Sequence, residues 1–433
     1  MSFLRYPVYK DSGVEWLGEV PADWKISSLK RQAKLLTEKS DRRNNPIGLE
    51  NVESWSGRQL TTETEFQGDG VAFERGDILF GKLRPYLAKV LLARESGEAV
   101  GDFHVLRPSS ELISSFLAHA IRNREFIAIV DGSTYGAKMP RASWEYMGSM
   151  PVAVPPISEQ TAIAGFLDRE TAKIDALVAE QQNLIALLKE KRQALISHAV
   201  TKGLEPDVPM KDSGVAWLGE VPAHWEIGPL KRFAEVIDCK HHTVEFLDEG
   251  LPIVSIRELR DDRIDLSDAK RTSQAEWDFL REGRVPRAGD LIFCRNASVG
   301  ALGYVEAGQE FCMGQDVCLI RPETTNRFTH FQLSSSIVRE QIEVFLVGAT
   351  IRRANVAEIR GLVMTWPPVP EQARISEYLI AETAQFDELM QEAETTIALL
   401  QERRTALISA AVTGKIDVRH LSVASTVPTP EPA

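Results

Sequence analysis

The sequence predicts an α+β fold: two pseudo-twofold-related domains of mixed helix and sheet, separated by two long helices that form an antiparallel coiled coil. Three observations carry this. The first is an internal repeat, which decides the architecture before any local reading. Residues 9–24 (YKDSGVEWLGEVPADW) and 210–225 (MKDSGVAWLGEVPAHW) agree at 13 of 16 positions, 201 residues apart. The second is a pair of blocks that return 212 residues later: PPISEQTAI at 155–163 as PPVPEQARI, and LLKEKRQALISHAVT at 187–201 as LLQERRTALISAAVT. The third is apolar residues at helical spacing between those two blocks in each copy.

Taken in order, the 433 residues exceed one ordinary core, and about 100–200 residues per domain is the usual range. Residues 1–155 read as the first domain and 156–201 as the first spacer helix. Residues 202–366 hold a linker (KGLEPDVP) and the second domain, 367–413 the second spacer helix, and 414–433 a C-terminal tail of disordered composition. Gly76-Asp77 and Arg107-Pro108 recur as Gly289-Asp290 and Arg321-Pro322. The offset grows before the Gly-Asp turn, so the extra length of copy two enters there. Each copy is therefore a matched frame around a divergent segment (25–154 and 226–366). Strand-like runs and short helical stretches alternate in those segments, which places them in the α+β class.

The long helices follow from composition and period. Residues 158–199 contain one glycine, Gly165, and no proline. Ile163, Phe166, Leu167, Ile174, Leu177, Leu184, Leu188 and Leu195 keep helical spacing, as do Ile375, Tyr378, Leu379, Phe386, Leu389, Ile397, Leu400 and Leu407. From Ile174 and Phe386 onward these are the expected packing positions of the spacers. At 1.5 Å per residue, about 42 residues span roughly 63 Å. That overhangs a domain of this size, which favours pairing of the helices with each other over packing of each on its own globular unit. Pro-Pro before each helix and Gly203 or Gly414 after it supply start and stop signals. Pro370 stands where the first copy has Ser158, which a helix start tolerates.

Composition removes several function classes. Fifty basic against 62 acidic residues give a net charge of −12, which argues against a uniformly basic coat but leaves room for a local groove. No apolar run reaches about 18 residues, so no membrane span is expected, and the opening MSFLRYPVYKDSG lacks the core of a secretion signal. Cys239, Cys294, Cys312 and Cys318 show no CxxC pairing, as expected for reduced thiols in the cytoplasm. Cys239 precedes His241-His242, but no second ligand pair follows at finger-like spacing, so zinc is set aside and no metal is expected. The phosphate loop, the dinucleotide fingerprint, the nucleophile elbow, His-Glu-x-x-His and the amino-methyltransferase Asn/Asp-Pro-Pro-Tyr/Phe are all missing. No catalytic residue is expected.

The positive signal lies in loops. FGKLRPY carries Lys82, Arg84 and Tyr86, and TYGAKMPRASW carries Lys138 and Arg141. In the second copy FCRNASVG carries Arg295, Asn296 and Ser298, and GATIRRANV carries Arg352, Arg353 and Asn355. Loop-borne Arg, Lys, Asn and Ser reach phosphates and base edges. Singly, each is also an ordinary solvated turn. Recurrence of cations at equivalent places in both copies favours binding.

The repeated KDSG-V-x-WLGEVP-x-x-W, PPxxEQ and LLxExRxALIS blocks resemble the specificity subunit of type I restriction–modification systems, over nearly the whole chain apart from the tail. The resemblance implies two target-recognition domains, each reading half of a split double-stranded DNA sequence. It implies helices that set the gap and dock two methyltransferase subunits, with motor–nuclease subunits joining them. It further implies no catalytic group and no cofactor on this chain, S-adenosylmethionine, ATP and Mg belonging to the partners. Two other readings compete: a coiled-coil scaffold that binds proteins without DNA readout, and a free-standing hydrolase with an unrecognised site.

Overall fold

In the computed structural model, which describes residues 3–40, 45–61, 69–134, 139–260, 262–324, 326–346 and 353–421, each divergent segment leaves and re-enters through one short ladder. Lys25–Ser28, just after the first Trp block, pairs antiparallel with Pro151–Val154, just before the first Pro-Pro. Glu226–Pro229 pairs with Val363–Trp366 in the same way. The chain divides into two compact units, residues 1–181 with 394–433 and residues 182–393. The division runs through both long helices rather than at their ends.

In the first unit an antiparallel sheet has the order Ala33–Leu36, Phe103–Pro108, Ile78–Gly81, Val90–Leu92. A second sheet joins Lys39–Ser40, Gly70–Phe73, Gly97–Val100 and Pro46–Ile47. The two-residue period of a strand decides which core each side chain joins. Ile78 and Phe80 face the helices, while Leu79 between them joins Ile47, Phe73 and Phe103. The second unit repeats this: Leu291 and Phe293 enter one core and Ile292 the other. Its main sheet has six strands and its second sheet three. A helix at Gln274–Arg281 lies in the segment where the sequence placed the added length.

The shared blocks are the joints of this architecture. Asp77, 2% exposed, accepts both arms of Arg107 (2.8 and 2.7 Å), and Asp290 accepts both arms of Arg321 (3.0 and 2.7 Å). The glycines before them sit at φ 95° and 92°, where a side chain would be strained. The indole N–H of Trp24 donates to Glu159 (2.9 Å), and that of Trp225 to Glu371 (3.1 Å). Gln160 and Gln372, next in the PPxxEQ block, are buried, and each donates to the first Pro-Pro carbonyl (2.8 Å).

The long helices run Ile157–Lys202 and Val369–Val412 and pack together in antiparallel fashion within each unit. In the first unit Ile163 and Leu167 share a core with Leu407, Ile408 and Ala411; in the second Ile196 and Val200 share one with Ile375 and Leu379. Ile174, Leu188 and Leu407 are buried, and Leu195, Phe386, Ile397 and Leu400 are half-buried. Leu177, Leu184 and Leu389 are instead exposed, at 45%, 42% and 48%. A helix of 3.6 residues per turn drifts off a seven-residue repeat, and the seam passes to Ile196, Ala393 and Ile408 instead.

A second correction concerns the tail. Residues 414–421 are built into the first unit: Leu4 bridges to Asp417, Val418 is fully buried, and the Tyr9 hydroxyl donates to the Gly414 carbonyl (3.0 Å). The remaining tail residues, 422–433, lie outside the described residues. No helix among the described residues is long and apolar enough to cross a membrane.

Two predictions follow from this packing. Glu159→Ala strands the buried Trp24 indole N–H, a loss of about 1–3 kcal/mol. Amide hydrogen exchange is expected to quicken in the first unit and stay unchanged in the second. His104 and His330, one buried in each unit, are both held down to about 4, chiefly by burial. Unfolding lets them bind protons near their ordinary value of about 6.5, so their contribution is full above that value and is lost as pH falls toward 4. Denaturant titrations between pH 7 and 5 are expected to show falling stability, with a shallower slope in the His104→Gln, His330→Gln double variant.

Candidate nucleic-acid interface

Beyond the strand that follows each Gly-Asp turn, the backbone makes the same corner twice. The Lys82 N–H donates to the Asp102 carbonyl (2.7 Å), and its carbonyl accepts from the Ala142 N–H (2.9 Å). Arg295 does the same with Asp316 (2.9 Å) and Ala354 (2.8 Å). The next residue bridges to an arginine in each unit, Leu83 to Arg141 and Asn296 to Arg353. The residue after that is left-handed: Arg84 at φ 51° and Ala297 at φ 57°. Holding a non-glycine residue there costs on the order of 1 kcal/mol, and such strain concentrates at functional positions.

On this common corner the side chains differ. In the first unit Asp102 is ion-paired with Arg141 (3.0 Å), while Arg84 is exposed and Tyr86 is 48% exposed on the short turn Pro85–Leu87. In the second unit Asp316 instead accepts from the Asn296 amide (3.1 Å), and Ser298 and Arg353 are exposed. The first corner is cationic and aromatic, suited to the two-pronged donation an arginine makes to guanine or phosphate. The second is more neutral, with amide, hydroxyl and guanidinium groups. His104 lies beneath the first corner, donating to the Ala142 carbonyl (3.1 Å).

The expected site residues separate into groups. Lys82, Arg84, Tyr86 and Arg141 come together at the first corner; Asn296, Ser298 and Arg353 do so at the second. Arg295 is corrected: it is 3% exposed and its guanidinium is ion-paired with Asp238 at 2.9 Å. A desolvated charge locked to its counter-ion is structural, because breaking the pair would leave the buried guanidinium without its counter-charge. Asn355 opens the short helix Val356–Arg360, and its N–H donates to Glu358 (2.7 Å). Lys138 and Arg352 lie outside the described residues.

Asp238, Cys239 and His241 bring potential ligand atoms within 4.8 Å of one another. These groups already have partners. Arg295 neutralises Asp238, the Cys239 thiol donates to the Gln315 carbonyl (2.9 Å), and burial raises the thiol's pKa, disfavouring the thiolate a metal would need. All four cysteines are buried free thiols.

Sequence reasoning missed two features. Beside Asp316 a cleft of about 340 Å³ is lined by His242, Phe246, Arg257, Lys270 and Gln315, with the Lys270 ammonium 4.0 Å from the centre of the Phe246 ring. Trp55, 36% exposed and at φ 64°, tops a tight loop in the first unit. Neither lies in a repeated block, so no internal comparison could single it out.

Comparison with known proteins bears on the sequence and the fold. The family model for the type I restriction modification DNA specificity domain matches residues 222–398. The chain is 23% identical over 330 residues to the EcoKI specificity subunit of Escherichia coli K12, across 72% of this chain and 68% of that one. It is 21% identical over 440 residues to a subunit described as the putative type I restriction enzyme MjaX specificity subunit of Methanocaldococcus jannaschii, across 93% and 96%. A solved chain from a study of assembly and conformational transition in the type I R-M system has the same fold. Its TM-score is 0.67 at 17% identity, covering 91% of this chain and 98% of that one. In sequence and in fold the chain is HsdS-like, resembling the specificity subunits of type I restriction–modification systems.

Proposed function

We propose that this chain is the DNA sequence-specificity subunit of a type I restriction–modification complex, each domain reading one half of a bipartite target. One observation carries this above the others: a single corner backbone built twice on a matched frame, with different exposed side chains on each copy. That is the economy expected of two readers sharing one scaffold, with sequence read by side chains and position set by the backbone. The long helices set the gap and dock two methyltransferase subunits, and motor–nuclease subunits complete the complex in the cytoplasm. Methyl transfer and cleavage belong to those partners, which bring S-adenosylmethionine, ATP and Mg; this chain binds none of them.

Charge favours shared binding. Residues 1–155 carry 20 basic and 20 acidic residues, and 211–366 carry 19 and 24. Non-specific DNA affinity scales with the number of phosphates neutralised, so a large part of that neutralisation falls to the partners. The first corner supplies specificity within the complex.

The test is selection of random duplex DNA by the chain assembled with its methyltransferase partner. A bipartite sequence is expected to emerge. Replacing Arg84 and Arg141 with alanine is expected to relax the first half-site by about 1–3 kcal/mol per lost base contact, leaving the second half-site unchanged. Wild-type recovery of no bipartite sequence would sink the proposal. An unaltered selection by the Arg84, Arg141 and Arg353 triple variant would favour the scaffold reading.

A further inference from the structure

The LLxExR block ends in an arginine that the packing of the helices does not explain, since its neighbours on the apolar stripe fill the core without it. We propose that these arginines, Arg404 and Arg192, are positioning residues. Each fixes the orientation of one reader on the helix pair of its own unit, and so restricts the number of base pairs allowed between the half-sites. This rests on the DNA-reading function proposed above.

The geometry is paired. In the first unit Arg404 lies almost buried, its side chain 10% exposed, between the two helices and the divergent segment. Its Nε donates to Asp175 of the first helix (2.9 Å), and a terminal nitrogen donates to the Trp55 carbonyl (3.1 Å). In the second unit Arg192 is ion-paired with Asp387 of the second helix (3.3 Å) and with Asp262 of the divergent segment (3.8 Å). Arg192 and Arg404 are 212 residues apart, as are Asp175 and Asp387, the same offset as the repeated helix blocks. In both units the residue gripped is a left-handed non-glycine: Trp55 at φ 64° and Asp262 at φ 61°. The grip is also crossed, because the helix of each copy holds the reader of the other.

The first grip acts on a loop with no slack. Buried Arg122 donates to the Ser56 carbonyl (2.7 Å) and the Val90 carbonyl (2.8 Å), so two arginines hold consecutive peptide carbonyls, Trp55 and Ser56. Gly57 follows at φ 67°, and a Cβ there would lie 2.1 Å from the Val90 oxygen. Arg404 thus ties a rigid part of the reader, rather than a yielding turn, to Asp175. Its planar fork can bridge a carboxylate and a carbonyl at once, whereas a lysine offers a single point charge.

Rigidity of this kind bears on reading. Each added base pair moves the second half-site about 3.4 Å along the duplex and about 35° around it. A reader free to turn by that amount would accept neighbouring gap lengths with an unchanged half-site sequence. The second grip is longer and its arginine more exposed (20% against 10%), so the first is expected to matter more.

The test is methylation by the assembled complex of a duplex library carrying both selected half-sites at every gap length. The wild type is expected to use one gap. With Arg404→Ala the half-site sequences stay the same, and use of the adjacent gap lengths rises about tenfold, equivalent to about 1.4 kcal/mol. Arg192→Ala has a smaller effect in the same direction. Asp175→Asn, which removes the charge but keeps an acceptor for the Arg404 Nε and leaves the Trp55 contact in place, shifts gap use in the same direction by less than Arg404→Ala. Arg404→Lys falls between and carries the test if the alanine variant does not assemble. A single unchanged gap in Arg404→Ala, or in Arg404→Lys where that variant stands in, with only a lower unfolding temperature, would reduce these arginines to structural ion pairs and overturn the inference. Altered half-site sequences would also overturn it, because Arg404 would then affect reading rather than placement. A wild type that recovers no bipartite sequence would instead fail the function proposed above, and the inference with it.

Discussion

The bond between a buried tryptophan and the first turn of a long helix is the constraint on which each unit depends. Glu159 and Glu371 each accept an indole N–H from a Trp in the repeated block. The position favours the carboxylate, because the helix N-terminus is the positive end of its dipole. A carboxylate this shielded still needs a counter-charge or further donors. Arg419 lies 3.6 Å from Glu159, and the His224 ring donates to Glu371 (2.7 Å). The two units thus satisfy the same need from different places in the chain. In the first unit the solution recruits residues 414–421, which is why that segment is built in: Arg419 brings charge to Glu159 and pairs with Asp417, while Val418 fills the core beside them.

This constraint explains why the frame was legible in the sequence. Trp24, Glu159, Gln160, Asp77 and Arg107 each satisfy a buried polar partner whose loss is costly, and each stands in a block that occurs twice. Repetition therefore marked the joints, and the helices were marked by their period. Legibility failed where energy is spread thinly. Leu177, Leu184 and Leu389 have the spacing of seam residues and yet face solvent, because spacing gives a stripe and the drift of a real helix decides which part of it is covered.

The candidate interface was legible in half. Its corner residues were found because cations recur at equivalent places, but recurrence cannot tell an exposed charge from a buried one. Lys82 and Arg295 occupy the same backbone position. Lys82 stays half-buried at the rim, while Arg295 is drawn inward by Asp238. That acid lies on the divergent strand Ala234–Asp238, outside any repeated block. The Trp55 loop and the Phe246 cleft escaped for the same reason. Features that give a reader its individuality are those in which it differs from its sister copy, so internal comparison is blind to them.

The acidic total is less at odds with the proposed DNA-reading function once charge is placed rather than summed. Many of the acids are already spent inside the fold: Asp77 and Asp290 on arginines that hold turns, Glu159 and Glu371 on indoles, Asp175 and Asp387 on Arg404 and Arg192. Several basic residues are spent in the same way and are equally unavailable to a phosphate. What faces solvent at the first corner is Arg84 with Tyr86, beside Asp102, an acid that Arg141 partly neutralises. Such a corner is too small to hold a duplex through counter-ion release. It is well suited to discriminating between base edges once the duplex is held by something else, since each base contact is directional and short-ranged. Weak holding with local reading is the physical form that a division of labour between this chain and its partners would take.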